Sequence, residues 1–284
     1  MWADGADTVK VRELEQKVQL MDQWGYRIDV VSAQQVTREI ERDLVIDADR
    51  VVNVYVASQE GWLETANFCH GLIHCASHRH GVEVLAGEVR GFEQRNGAID
   101  ATRLADGTTL YSDVVVNCAG PEASEVAHLA GLRLPLGLRP GALMITGATP
   151  NRLRHVVHSP HVNMRPDNAG RLALNLHSVD AFIARGGYLN VGDQTTRDAI
   201  STAATMMPAL RNTMVESWRA GVRPVPLDGL PIIGFDPRLR GLYHAVTHSA
   251  VTLAAILGRL VAEELSGRES PDLTRYRADR LIAA

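Results

Sequence analysis

GVEVLAGEVRGFEQRNGAIDATRLADGTTLYSDVVVNCAG, residues 81–120, is the stretch whose period identifies the fold. Residues 81–94 alternate as a strand, Asn96-Gly97 forms a tight hairpin turn, and AIDATRL (98–104) returns as the second strand. Asp106-Gly107 turns again into a third short strand, Thr109 to Tyr111. SDVVVNCAG then reads as a buried strand, because the apolar run Val114–Val116 suits a parallel strand covered on both faces. A meander lying over a parallel sheet thus delivers a small-residue turn, Ala119-Gly120, to the sheet's carboxyl edge. Open α/β sheets bind ligands at that edge, and missing side chains let a cofactor approach the backbone.

Upstream, Val11, Leu14, Val18 and Met21 form one helical stripe over residues 10–24, ending near Gly25. Ile28 to Val31 is extended, Ser32 with Gln35 reads as a capping box opening a helix over 33–41, and Arg50 to Val56 alternates as a strand. Residues 62–79 are helical and closed by Gly81. Downstream, 138–225 mixes short strand-like runs (ALMIT, HVVHS, RLALNL) with turns and a helix near 195–210, which suggests a second lobe on an antiparallel sheet. GLYHAV, a loop at Thr247–Ala250 and a helix from about Val251 to Leu265 return to the first style. The expected class is α/β with two interleaved lobes. Residues 1–137 and 226–284 build the first lobe, 138–225 the second, and part of 25–60 joins the second.

The 284 residues carry a net charge of -4 and are 45% apolar, enough for a large core and without a basic footprint for nucleic acid. No apolar run is long enough to cross a bilayer. The polar opening MWADGADTVKVRELEQK does not read as a secretory signal. Cys69, Cys75 and Cys118 are too few for a disulfide framework, so a reducing cytoplasm is the default.

Two further stretches carry chemistry. In AGVRPVPLDGLPIIG (220–234), prolines after Arg223 stiffen the backbone that presents a planar, two-pronged carboxylate clamp; taken alone, a surface arginine in a proline-rich loop is the better reading. In GLYHAVTHSAVTLAAILGRLVAEELSG (241–267), a strand enters a slim loop and then a helix whose first turn can aim free N–H groups at an electron-rich ligand edge. CHGLIHCASHRH (69–80) sets His70, His74 and His78 on one helical face, but no further ligand is placed, and no physiological metal site is expected.

In this order the segments resemble the FAD-dependent D-amino-acid oxidase family, which includes glycine oxidase, sarcosine oxidase and D-amino-acid dehydrogenase. The resemblance runs from about Gly61 to Leu265 and is strongest in SDVVVNCAGPEASEVAHLAGLRLPLGLRPGALMIT, VRPVPLDGLPIIG and THSAVTLAAILGRLVAEEL. It implies a Rossmann-like FAD lobe interleaved with an antiparallel-sheet substrate lobe. By resemblance, the Val89 backbone contacts the adenine, and Ala119 and Gly120 lie alongside the FAD. Arg223 pairs with a substrate carboxylate, and His248, Ser249, Ala250, Val251 and Thr252 line the flavin ring. The implied reaction is hydride transfer to flavin from a carbon bearing nitrogen, in an amino acid or amine substrate.

The family opens with a strand, a glycine-rich turn and a helix that grip the diphosphate. No such turn precedes Gly61 here, and a βαβ unit needs roughly 30 residues or more. The expectation is an incomplete FAD lobe, in which 113–118 and 242–246 lack a strand partner and FAD binding and solubility are poor. A partner chain supplying that unit, or a non-catalytic remnant, is the alternative. Relatives commonly carry glycine where this chain has Thr247 and Ala250, so a methyl at Ala250 can crowd the ring.

Overall fold

In the computed structural model, which describes residues 1–282, the chain begins with α1 (Thr8–Gln23), β1 (Asp29–Val31), α2 (Ala33–Gln35), β2 (Val54–Val56) and α3 (Thr65–His80). The meander β3 (Val89–Arg95), β4 (Ala98–Leu104) and β5 (Thr109–Tyr111) leads into β6 (Val115–Asn117) and α4 (Ala123–Leu129). Then come β7 (Leu136–Thr146), β8 (Val157–His158), β9 (Asn163–Pro166), β10 (Leu172–Asn175), α5 (His177–Ala184), α6 (Gln194–Met206) and β11 (Val215–Pro226). The chain closes with β12 (Ile232–Phe235), β13 (Leu242–Val246), α7 (Ala250–Leu265) and α8 (Asp279–Ile282). This is a mixed α/β fold. It divides into two compact units, each made of two chain segments: Met1–Leu63 with Pro140–Gly221, and Glu64–Arg139 with the residues from Val222 onward.

The first unit is built around the sheet order β11-β7-β10-β9-β8. Its core is aliphatic and methionine-rich (Met144, Met164, Leu172, Leu174, Met207, Leu210), as a chain with 5% aromatics requires. Helix α6 turns its small face, Ala199, Ala203 and Ala204, into that core, and its N-cap Asp193 accepts from the Thr196 amide at 2.8 Å. The predicted stripe of α1 is the half-buried one: Val11, Leu14, Val18 and Met21 alternate with exposed neighbours. The capping box forms, with Ser32 Oγ accepting from Gln35 N at 3.1 Å and Gln35 Oε1 accepting from Ser32 N at 2.9 Å. The helix it opens lasts one turn before widening into a π-helical turn over Val36–Ile40. Glu41, buried just after it, accepts from the Arg154 and His155 amides and stands 2.5 Å from His155 Nδ1, pinning two distant segments together.

In the second unit the sheet order is β12-β13-β6, with β13 antiparallel to β12 and parallel to β6. Side chains alternate across it with period two. Ile232 and Val246 pack on Ala123 and Ala127 of α4, while Ile233 and Tyr243 pack on Leu260 of α7 and on Leu273. The C-terminal segment is stapled on by a buried polar cluster. Tyr243 OH donates to Glu264 Oε2 at 2.7 Å, and the Arg277 guanidinium bridges both Glu264 oxygens and the Ile233 carbonyl. Gly234, at φ +140°, makes this possible, because a Cβ there would stand 2.6 Å from Arg277 Nη1 and 2.9 Å from its Cδ.

Several expectations need correction. Residues 81–88 are exposed coil: the ladder ends where Val89 faces Leu104, with the Glu88 carbonyl accepting from the Ala105 amide at 2.8 Å, and Val82 N donates back to the Ala76 carbonyl of α3 at 3.2 Å. Of Arg50–Val56 only Val54–Val56 is strand, its length set by the three residues of β1. Val115 and Val116 are half-buried rather than covered on both faces, and Arg223 lies in strand β11, not in a loop. The segment 242–246 does not lack a partner, since β12 and β6 flank it. β6 has β13 as its ladder partner among the described residues. The turn residues Asn96 and Gly97 both adopt positive φ (52° and 73°), as a hairpin of this hand demands.

Gly234→Ala is expected to lose about 2 kcal/mol, from a strained backbone and a displaced Arg277. Urea unfolding measures it, and in an Arg277→Ala background the loss should shrink, since the steric part disappears.

Candidate flavin-facing edge

The parallel register pairs Leu242 with Val115, Tyr243 with Val116 and His244 with Asn117, so β6 and β13 end at the same edge. Cys118–Gly120 leave from the first strand and Thr247–Ala250 from the second. Since β12 runs antiparallel, with Ile232 opposite Val246, the turn at Asp228-Gly229 enters the sheet from that edge too. Sheet topology therefore gathers Ala119, Gly120, the His248–Thr252 segment and the end of the 220–234 stretch at one place.

Local chemistry explains each turn. Gly120 adopts φ +59°, and a Cβ built there meets nothing within 4 Å, so the backbone face is open to an approaching group. At the other turn, Thr247 is buried and its Oγ1 accepts from Ser249 N at 3.2 Å, while Ser249 Oγ and His248 Nδ1 lie 2.9 Å apart. Ser249 is the N-cap of α7 but makes no side-chain capping bond. The first-turn N–H groups thus keep their donor capacity at the positive end of the helix dipole. His248, Ala250, Val251 and Thr252 are exposed, so the edge is open to solvent rather than a walled crevice.

Two expected residues stand differently. Val89 begins β3 in the separate meander sheet, opposite Leu104, and the pairing that unites the other turns does not extend to it. Arg223 is exposed near the end of β11, with buried Pro224 and Pro226 behind it, and its Nε donates a long 3.4 Å bond to the Arg139 carbonyl. On α3 the His74 and His78 rings stack at 3.9 Å. Among the described residues, no group of three or more His, Cys, Asp or Glu side chains is placed to hold a metal.

Behind the edge lies a polar network absent from the expectations. Asn117, His244 and Asp236 are all buried. Asp236 Oδ2 faces His244 Nε2 at 3.1 Å and accepts from Arg238 Nη2 at 2.6 Å, while its Oδ1 accepts from Arg238 N and Nε, both at 2.9 Å. Burial works to raise the Asp236 pKa, but the Arg238 guanidinium and the His244 bond outweigh it and hold the carboxyl below its ordinary range. The signal was present in the sequence: Asn117 and His244 each interrupt an apolar strand, in VVVNC and LYHAV.

The family model for DAO, FAD dependent oxidoreductase, matches residues 3–264. An opine oxidase subunit of Agrobacterium tumefaciens is 25% identical over 292 residues, covering 99% of this chain and 74% of that protein. Glycine oxidase of Pseudomonas putida is 28% identical over 189 residues, which are 64% of this chain and 49% of the relative, so the match spans about half that enzyme's length. Among solved structures, L-proline dehydrogenase from P. horikoshii superposes with a TM-score of 0.83 at 19% identity, covering 99% of this chain and 76% of that one. Glycine oxidase from Geobacillus kaustophilus gives 0.80 at 19% identity, covering 98% and 73%. At such identities the structural likeness establishes the fold alone.

An Asp236 carboxyl held low stabilises the folded state above the ordinary carboxylate range, and that contribution is lost as pH falls below about 4. Arg238→Met removes the strongest lowering partner, so its acid-unfolding midpoint, followed by circular dichroism, should move to higher pH than that of the wild type.

Proposed function

Because the chain belongs to the DAO family of FAD-dependent oxidoreductases, we propose that it acts on the carbon–nitrogen bond of an amino acid or secondary amine, with the second unit as the FAD lobe and the first as the substrate lobe. The observation that carries this reading is the convergence of the Ala119-Gly120 turn and the start of α7 on one edge of the parallel β6–β13 pair. That edge fits a flavin: Gly120 leaves its backbone face clear, and α7 offers uncapped N–H donors to an electron-rich ring edge. FAD, when bound, supplies the two-electron acceptor for a hydride leaving the substrate carbon. Ala119 and Gly120 would lie alongside it, Ser249, Ala250, Val251 and Thr252 would line the ring, and the Val89 backbone, from the meander sheet, would meet the adenine. The Ala250 methyl narrows the space at the ring. Arg223, whose Nε reaches the Arg139 carbonyl at 3.4 Å and whose backbone is stiffened by Pro224 and Pro226, would pair with the substrate carboxylate. His248, exposed in the loop before α7, would stand beside the flavin ring with a catalytic role. We place the chain in the cytoplasm, where its three free thiols are stable.

A second reading treats the chain as one component of an assembly, with a partner chain adding the diphosphate-binding unit. The outer edge of β6 is open to another strand, α3 has no buried residue, and Phe68, Leu72 and Ile73 on it are exposed. That the opine oxidase relative is itself one component of a larger enzyme, by its name, agrees with it. A non-catalytic remnant is the limiting form of the same idea.

Absorbance of the purified chain after FAD addition and gel filtration separates these readings. Retained stoichiometric flavin supports a self-sufficient enzyme, and flavin retained with an added partner supports the assembly. No retention in either case overturns the oxidoreductase reading. In the loaded protein, Arg223→Ala should raise KM for a carboxylate-bearing amino acid by about 10- to 100-fold and leave a carboxylate-free amine unaffected; an unchanged KM for the amino acid removes Arg223 from the site.

A further inference from the structure

Asn117 closes β6 at 2% exposure, and every polar atom of its side chain has a partner. Oδ1 accepts from the Ala119 amide at 3.2 Å, and Nδ2 donates to the Ala123 carbonyl at 2.9 Å. These two backbone groups, one a donor and one an acceptor, fix which way the amide faces. Nδ2 therefore presents its second hydrogen to His244 Nδ1, 3.4 Å away, and that ring nitrogen must be the acceptor. The imidazole proton consequently sits on Nε2 and donates to Asp236 Oδ2, whose carboxylate is clamped by Arg238. The clamp is tied in turn to the Arg133 carbonyl through Arg238 Nη2. Donors and acceptors match along the whole line, and its last link is the turn itself: Ala119 N–H is held, and Gly120 is presented at φ +59°.

We propose that Asn117 is a positioning residue for the cofactor-facing Ala119-Gly120 turn, with His244, Asp236 and Arg238 completing the buried hydrogen bonding behind it. The proposal rests on the flavin reading of that edge and extends it to residues that touch no ligand. A hydrophobic residue of similar size would fill the space at Asn117 and satisfy the packing, but it would leave the Ala119 N–H without its partner, remove the amide's tie to the Ala123 carbonyl at the start of α4, and leave the turn without a fixed geometry. Pre-set geometry at a binding turn lowers the ordering cost that a ligand must otherwise overcome.

Three variants of the whole chain test it. Asn117→Leu removes both backbone bonds, Asn117→Asp keeps the acceptor for Ala119, and Ile99→Ala, in β4 of the meander sheet, truncates the core cluster it forms with Leu239 and Leu242 at the start of β13 as a stability control. Hydrogen exchange at the Ala119 amide should accelerate about tenfold or more in Asn117→Leu and stay near wild type in Asn117→Asp. FAD affinity, followed by flavin fluorescence, should weaken about tenfold in Asn117→Leu and change less than about twofold in Ile99→Ala. Unchanged Ala119 exchange in Asn117→Leu, or an equal loss of FAD affinity in Ile99→Ala, overturns the proposal. A wild-type chain that takes up no FAD overturns the flavin reading instead, and the exchange comparison still decides whether Asn117 sets the turn.

Discussion

Parallel pairing of β6 with β13 is the constraint on which the candidate site depends. Asn117 and His244 stand 127 positions apart in the chain, and their register opposite one another determines which turns share an edge. In a parallel pair, both strands deliver their following segments to the same side, so an anion-attracting helix start and a glycine turn become neighbours without any direct bond between them. A shift of one residue would send His244 and Asn117 to the opposite face and dismantle the network behind the turn.

That network is polar in a place where apolar side chains would pack as well. Burying an amide, an imidazole and a carboxylate is costly unless each is satisfied, and here each is. No buried side-chain nitrogen or oxygen among the described residues lacks a partner. The same rule governs the far face of the sheet, where Tyr243, Glu264 and Arg277 close around Gly234. Both faces of β13 thus carry one fully bonded polar cluster within an apolar setting, and each cluster ties the strand to an element remote in sequence.

The uneven burial of the second unit has a physical meaning. β13 is covered on both sides and both edges, whereas β6 has an open edge and α3 has no buried residue. Exposed apolar side chains on α3 and in 81–88, with an open strand edge, are features that further polypeptide commonly covers. The first unit, by contrast, has a continuous core over its sheet.

Local signals determined much of this. Period-two and helical patterns located β4, β5, α1, α3 and α7 within a few residues, and the glycine closing α3 and the Asn96-Gly97 turn were legible because positive φ restricts which residues fit. The three stretches that meet at the sheet edge were picked out by their resemblance to the family, since each taken alone reads equally as ordinary structure. Strand limits were not, because a strand ends where its partner ends: 81–88 and 50–53 have the right residues, but their backbone bonds go to turns and helix ends rather than to a ladder strand. Nor could the sequence reveal what Asn117 and His244 do, although each visibly interrupts an apolar run. A hydrogen bond needs both partners within about 3.5 Å, and only the tertiary pairing of β6 with β13 brings those two side chains, and the turn they support, together.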